Sequence, residues 1–412
     1  MNLAEMLGYA DIAQLARIAG VYRCDCSGHS KHELIQAILV AVSGKELFDN
    51  QLEDMPVEDL RFLNSLLFDS RDAFSLEDLV ARARNCSFGK DDQSAVTGAR
   101  SAISASEMLP GSEQSRKEPA DKPVSKRSSK KVKPAAEPGP RDTIARFKHL
   151  GWLFNGHSGM DRYLFHVPSD LKQRFKEALA RRYRRAIKEC GEPPVYRDEQ
   201  LLLADDILHL LRYVEQQEIP LTVEGAMYKR QTLQVLELMS ITEEMPVKGA
   251  WRFGYGRRFK DYPDRLSLLY DYCYYSGLIS ESDMRLTLTM AGKEKLEGKR
   301  REEPSELYRF WLRLYKGAVP NLTAIVHWID ELAVKWVAID PLRSELLPLI
   351  RPFYYDSAET VFNQRVIMMM LHLGLLRVGE DEQGCQVVRM TAAGHAIVRG
   401  VHVSEQDHIQ LD

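Results

Sequence analysis

Apolar residues recur at helical spacing along most of the chain. Leu3, Met6, Leu7, Ile12, Leu15, Ala16 and Ile18 open it, and Leu34, Ile35, Ile38 and Leu39 mark one side of a helix over His32 to Val42. Ser30 precedes Glu33 by three residues, a capping box that starts this helix. Pro56 to Leu67 and Ser75 to Ala83 repeat the pattern, so residues 1–85 read as a small helical module. Further on, Trp152 to Phe154 and Tyr163 to Phe165 read as two short strands about the Gly156 to Gly159 turn. Ser169 is the expected N-cap of a following helix. Leu201 to Val214 is a strongly apolar helix, Leu221 to Tyr228 a turn feeding another, and Pro263 to Tyr275 a third, with Leu266, Leu269, Tyr270 and Cys273 on one face. Two helices fill Leu322 to Ile350, and Asp356 with Glu359 predicts a capping box for a last long helix ending at Leu373.

A repeat of about 100 residues organises the C-terminal half. One copy reads Ser276-Gly277-Leu278-Ile279, a polar gap, then Thr287 to Gly292. The other reads Leu373-Gly374-Leu375-Leu376, a longer gap, then Met390 to Gly394. The Thr-x-Ala-Gly tail is shared, with Thr289 and Thr391 in matching places. Gly277 and Gly374 stand where a left-handed cap ends a helix. The gap is a hairpin tip, which tolerates length changes. The fold class predicted is mainly α with short β-hairpins: tandem winged-helix-like units over 199–300 and 301–412, a small basic mixed module over 141–198, and the N-terminal helical module.

Composition changes this picture in two places. Large apolar residues nearly vanish over 86–140, where Ser, Pro, Ala, Lys and Glu dominate. This reads as a disordered basic linker carrying Lys126, Arg127, Lys130, Lys131 and Lys133. The formal net charge of −3 hides an uneven spread. Residues 1–85 hold an acidic excess of roughly six charges, and Arg141 to Glu189 a basic excess of roughly seven. No long uncharged apolar run predicts a membrane span, and no signal peptide opens the chain. Six cysteines make no disulfide framework, so the expected location is cytoplasmic.

The segment Leu221-Thr222-x-x-Gly225-x-x-Tyr228-Lys229-Arg230 and the helix–hairpin from Ser276 to Gly292 resemble the N-terminal domain of XPB-type helicases. The stretch around Gly28, Ser30, Lys31, Glu33, Leu34 and Ile35 faintly resembles SAP-type DNA-binding modules. The resemblance covers about half the chain in patches. It implies an accessory domain touching DNA, or a helicase or nuclease partner. The motor is missing, because no Gly-x-x-x-x-Gly-Lys-Ser/Thr loop is present to cradle a nucleotide's phosphates.

No motif argues for catalysis. Gly-x-Ser-x-Gly and His-Glu-x-x-His are absent, and the Asp205-Asp206 doublet sits on an apolar helix. No cofactor is expected. Cys24, Cys26, His29 and His32 are dense in soft ligands, but their spacing matches no common zinc pairing, and a polar loop is the favoured reading. For nucleic acid, Trp251 to Lys260 interleaves aromatic and basic residues around glycines. Arg257, Arg258, Lys260 and Arg265 are the first expected phosphate contacts, and Arg181, Arg182, Arg184 and Arg185 form a second basic band. That band could equally pair with the acidic N-terminal module. The expected function is non-catalytic DNA binding or helicase association. The alternative is a protein–protein scaffold without DNA affinity.

Overall fold

The computed structural model describes residues 1–24, 26, 30–88, 139–157, 159–246, 255–403 and 409. The linker cluster from Lys126 to Lys133 and the aromatic run Trp251 to Gly254 lie outside the described residues. The protein is mainly helical with small antiparallel sheets, as the periodicity predicts.

Four helices form the N-terminal module: α1 (Leu3–Tyr9), α2 (Ile12–Val21), α3 (Lys31–Ser43) and α4 (Lys45–Glu53). Asn2, Asp11 and Ser30 cap the first three through their side chains, satisfying backbone N–H groups that a helix start leaves open.

One connectivity then recurs three times among the described residues: helix, strand, two helices, then a hairpin. The first body comprises α5 (Val57–Leu67), β1 (Ala73–Phe74), α6 (Leu76–Cys86), α7 (Pro140–His149), β2 (Phe154–Asn155) and β3 (Phe165–His166). It is followed by the long helix α8 (Ser169–Ala186) and strand β4 (Val195–Arg197). The second comprises α9 (Leu202–Gln216), β5 (Ile219–Pro220), α10 (Lys229–Leu238), α11 (Asp264–Tyr275), β6 (Ile279–Ser282) and β7 (Arg285–Leu288), trailed by α12 (Met290–Glu297) and α13 (Pro304–Tyr315). The third comprises α14 (Leu322–Leu332), β8 (Val337–Ala338), α15 (Ile339–Leu346), α16, β9 (Leu376–Glu380) and β10 (Gln386–Met390), then α17 (Ala392–Gly400). Helix α16 runs as α-helix over Ala358–Thr360, π-helix over Val361–Ile367 and α-helix again over Met368–His372. In each body the third strand lies between the first and second: β1-β3-β2, β5-β7-β6 and β8-β10-β9, with β4 added outside β9. The first body spans the boundaries expected from composition, because residues 89–138 fall between its second and third helices.

A shared turn explains the recurrence. Gly151, Gly277 and Gly374 have φ of 69°, 67° and 69°. After each, the next residue's N–H reaches back to close the helix end: Trp152 to Phe147, Leu278 to Cys273 and Leu375 to Met370, each at 2.9 Å. Thr289 and Thr391 then stitch the hairpin to the next helix. Each hydroxyl accepts from the glycine three residues on, and each N–H donates to the Leu278 or Leu375 carbonyl. A Cβ on Gly292 or Gly394 would stand 2.1 or 2.0 Å from that same carbonyl oxygen. The glycine of Thr-x-Ala-Gly is therefore fixed by close backbone approach.

Two expected caps differ. Helix α8 begins at Ser169 with Pro168 before it and no side-chain cap, since Ser169 instead donates to the Met1 carbonyl. Ser357, not Asp356, caps α16, while Asp356 accepts from Arg365.

The bodies share buried contacts. Trp152 meets Phe147 and Phe175 edge-on and donates to Tyr22, the residue that follows α2, whose hydroxyl donates to the Leu150 carbonyl. Trp328 of α14 donates to Asn64 of α5, joining the first and third bodies. Arg365 of α16 pairs with Asp264 of α11 at 2.7 Å, joining the second and third.

Candidate nucleic-acid interface

Burial decides what each expected cation can reach. Arg265 is 1% exposed. Its guanidinium pairs with Asp206 at 2.5 Å and Glu199 at 3.5 Å, two carboxylates that are also fully buried. Asp206 further accepts from the Ser240 N–H and hydroxyl, and Glu199 contacts His372 at 3.0 Å and Arg197 at 2.5 Å. Burial opposes the Glu199 charge, yet His372, Arg197 and Arg265 together hold its carboxyl below the usual range. The Arg265 guanidinium is thus the inner counter-ion of two bodies and faces no solvent.

Arg258 is buried as well. It binds Glu281 at 2.5 Å and donates to the Glu224 carbonyl at 2.6 Å. Burial works against its charge, and Glu281 outweighs burial and raises its pKa. Arg257 lies half-buried over the Tyr274 ring and pairs with the same Glu281 at 2.6 Å. Only Lys260 of this set is exposed. Of the four expected phosphate contacts, Arg257, Arg258, Lys260 and Arg265, two arginines are drawn inward by one glutamate on strand β6 and a third is taken by an interbody network.

The basic band of α8 is also engaged within the chain. Arg181 pairs with Asp49 at 2.8 Å, Arg185 with Glu53 at 3.1 Å and Arg184 with Glu331. Arg182 donates to the Leu52 carbonyl and Arg174 to that of Ser43. Lys172 pairs with Asp72 at 2.8 Å. Asp49, Glu53 and Asp72 from the acidic residues 1–85 thus meet this helix, a pairing that the charge asymmetry left open.

The third helix of each body can be compared for its free face. Helix α11 buries nine consecutive residues, Arg265 to Cys273. Helix α16 exposes only Glu359 and Gln364. Helix α7 differs. Its inner side buries Thr143, Ile144 and Phe147, while Arg141, Asp142 and His149 are exposed and Ala145 and Lys148 half-exposed; Asp142 accepts from the Gly139 N–H at the helix start. Arg146 is held to Asp59 at 2.6 Å. Arg17 of α2 joins this face, and with Gln14, Lys148, His149 and Asn155 it lines a cleft of about 370 Å³ whose acidic member is Asp11. Burial, followed by the nearby Arg17 charge, lowers the Lys148 pKa. Among the described residues Arg17, Arg141 and Lys148 form no ion pair. The loop between β2 and β3 adds Arg162 and Tyr163, the latter 81% exposed. That loop also carries the exposed Asp161, while the other two hairpin tips hold Asp283 in one and Asp381 with Glu382 in the other.

The expectations from sequence missed the α7 face. Its signal was present: Gly151-Trp152-Leu153 echoes Gly277-Leu278-Ile279 and Gly374-Leu375-Leu376. The long insertion hid that the two predicted helices before it, over Pro56 to Leu67 and Ser75 to Ala83, belong with this helix and hairpin.

Cys24 and Cys26 are half-buried, and burial with the neighbouring Cys26 raises the Cys24 thiol pKa. His29 lies outside the described residues. Among the described residues no three His, Cys, Asp or Glu side chains gather as a metal site, and no helix is long and apolar enough to cross a membrane. Comparison with known families, with curated proteins and with solved structures finds no match for this chain.

Proposed function

We propose that this chain is a non-catalytic DNA-binding protein built on three winged-helix units, of which the first meets the duplex and the other two brace it. The recurring strand order and the helix-to-hairpin glycine support the winged-helix reading. The carrying observation is that α7 alone among the three equivalent helices offers an exposed basic face, flanked by Arg17 and by a hairpin loop with Arg162 and Tyr163. Cations free of protein carboxylates are the ones able to replace counter-ions on a phosphate backbone. The cluster Lys126 to Lys133 enters the chain a few residues before Arg141 and adds charge on the same side of the sequence. The resemblance to XPB-type domains agrees with an accessory role beside a helicase.

The test is duplex binding by fluorescence anisotropy across a salt series, with wild type and Arg141→Ala/Lys148→Ala. Binding that weakens steeply with salt, and a clear loss in the variant at unchanged melting temperature, supports the reading. No binding at low salt, or equal binding by the variant, overturns it.

A protein-scaffold reading has one observation of its own. Tyr354 and Tyr355 are 73% and 72% exposed in the third unit, and Tyr354 has a φ of 50°. Amphipathic aromatics held outward are common contacts at protein interfaces. Retention of a partner protein by a Tyr354→Ser/Tyr355→Ser variant would remove this reading.

A further inference from the structure

A larger cleft, about 690 Å³, lies away from the α7 face and shares no residue with it. It opens between the end of α5, the middle of α8, α14 and the end of α17. Its floor is aromatic. The Phe68 and His327 rings stack at 4.8 Å and 8°, and Trp328 meets Phe68 edge-on at 5.1 Å. Several hundred Å³ is the usual size of a small-ligand site, and around the aromatic floor this cleft is lined mostly by polar and charged side chains.

The charges around it sort into those already satisfied and those not. Asp330 accepts from Arg399 at 2.8 Å and from His395. Glu331 is taken by Arg184, and Asp69 by Arg82 and Arg71 from outside the cleft. Arg181 is held by Asp49. Two groups remain. Lys176 has its ammonium 4.7 Å from the Phe68 ring centre and, among the described residues, no hydrogen bond or ion pair. His327 has its ring contact with Phe68 and, among the described residues, no hydrogen bond at either nitrogen. The groups that act on His327 are Lys176, Asp330, His402 and Arg399, and burial outweighs them all, pushing its pKa down to about 4. Burial and the neighbouring Lys172 lower the Lys176 pKa too. A half-buried cation without an anion is costly, and the cost is relieved by loss of its proton or by a bound anion.

We infer that this cleft is a binding site for a phosphate group, held by Lys176 and His327 over the Phe68–His327–Trp328 floor. The phosphate accepts from the Lys176 ammonium and from a His327 N–H. A free nucleotide and the 5′-phosphate of a strand end share this chemistry. The inference does not rest on duplex binding by α7.

The test titrates full-length protein with three probes: inorganic phosphate, adenosine monophosphate and a 5′-phosphorylated oligonucleotide too short for duplex contacts. Binding is read by calorimetry, and the His327 charge by imidazole NMR. The variants are Lys176→Met, which keeps the stem packed on Phe68, and His327→Gln, each checked by thermal melting. The expected result is saturable binding of at least one probe, weakened at least tenfold by Lys176→Met, with the His327 pKa rising on binding. The Arg141→Ala/Lys148→Ala variant binds the probe as wild type does, which separates this site from the α7 surface. The mononucleotide binding better than the phosphorylated strand assigns a free ligand, and the reverse assigns a strand end. Absence of saturable binding by all three probes, or equal binding by Lys176→Met, overturns the inference.

Discussion

Arg265→Ala distinguishes a structural guanidinium from a phosphate contact. The side chain is 1% exposed and sits between Asp206 and Glu199, both fully buried. Its removal leaves two interior carboxylates short of a positive neighbour. Breaking a buried pair by deleting one partner costs about 3–5 kcal/mol. The lower end applies, because Asp206 keeps Ser240 and His209, and Glu199 keeps His372 and Arg197. With a urea slope of about 3 kcal/mol per M, a loss of about 3 kcal/mol moves the midpoint down by about 1 M. The assay is urea unfolding followed by tryptophan fluorescence, run beside duplex binding under native conditions. A variant as stable as wild type that has lost DNA affinity would refute the argument and return Arg265 to the binding surface.

Arg141→Ala and Lys148→Ala have the opposite signature: stability within about 0.5 kcal/mol by thermal melting, and a log–log salt slope reduced by about 0.9 for each phosphate the variant no longer neutralises. Gly394→Ala places a methyl group against the Leu375 carbonyl, so it destabilises by about 1–3 kcal/mol in chemical denaturation. An unchanged midpoint would mean that the backbone approach is not tight. Burial raises the Asp271 pKa to about 7, against the opposing Arg257 N–H. Its unfolded carboxyl ionises near pH 4, so this group's contribution is most favourable below that pH and erodes as pH rises from about 4 to about 7. Asp271→Asn removes the erosion, so its stability relative to wild type grows across that window in melts at successive pH values. A difference that stays constant with pH counts against this.

Periodicity was enough for the helices, and the paired Thr-x-Ala-Gly tails were enough for two hairpins, because both signals are local. Gly277 and Gly374 take the left-handed caps their neighbours imply, and Gly292 and Gly394 show why the tail repeats. Charge placement was less legible. Whether Arg258 faces solvent depends on Glu281, twenty-three residues away across a strand. Whether Arg181 is free depends on Asp49, on a different module. Sequence shows that a cation exists and not which carboxylate the fold brings to it. The first unit was hidden for a simpler reason: residues 89–138 separate its second helix from its third, so no window of ordinary length contains the whole pattern.

The same separation bears on why α7 keeps a free face. In the second and third units the three helices follow one another with shorter connections, and neighbouring elements close over the third: α13 packs on α11, and Glu199 and Asp264 reach α16 through His372 and Arg365. Helix α7 is covered on its inner side by α6 and flanked by α2, while its Arg141, Lys148 and His149 side remains open. A third helix buried against other units can hold a scaffold rigid but cannot enter a groove, because its side chains are already committed. Under the proposed function, three copies of one connectivity would divide the work by exposure rather than by topology. Two copies are tied by interior ion networks, and the copy interrupted by a long insertion keeps Arg141 and Lys148 without an ion pair among the described residues, the cations that the proposed binding to an anionic polymer would use.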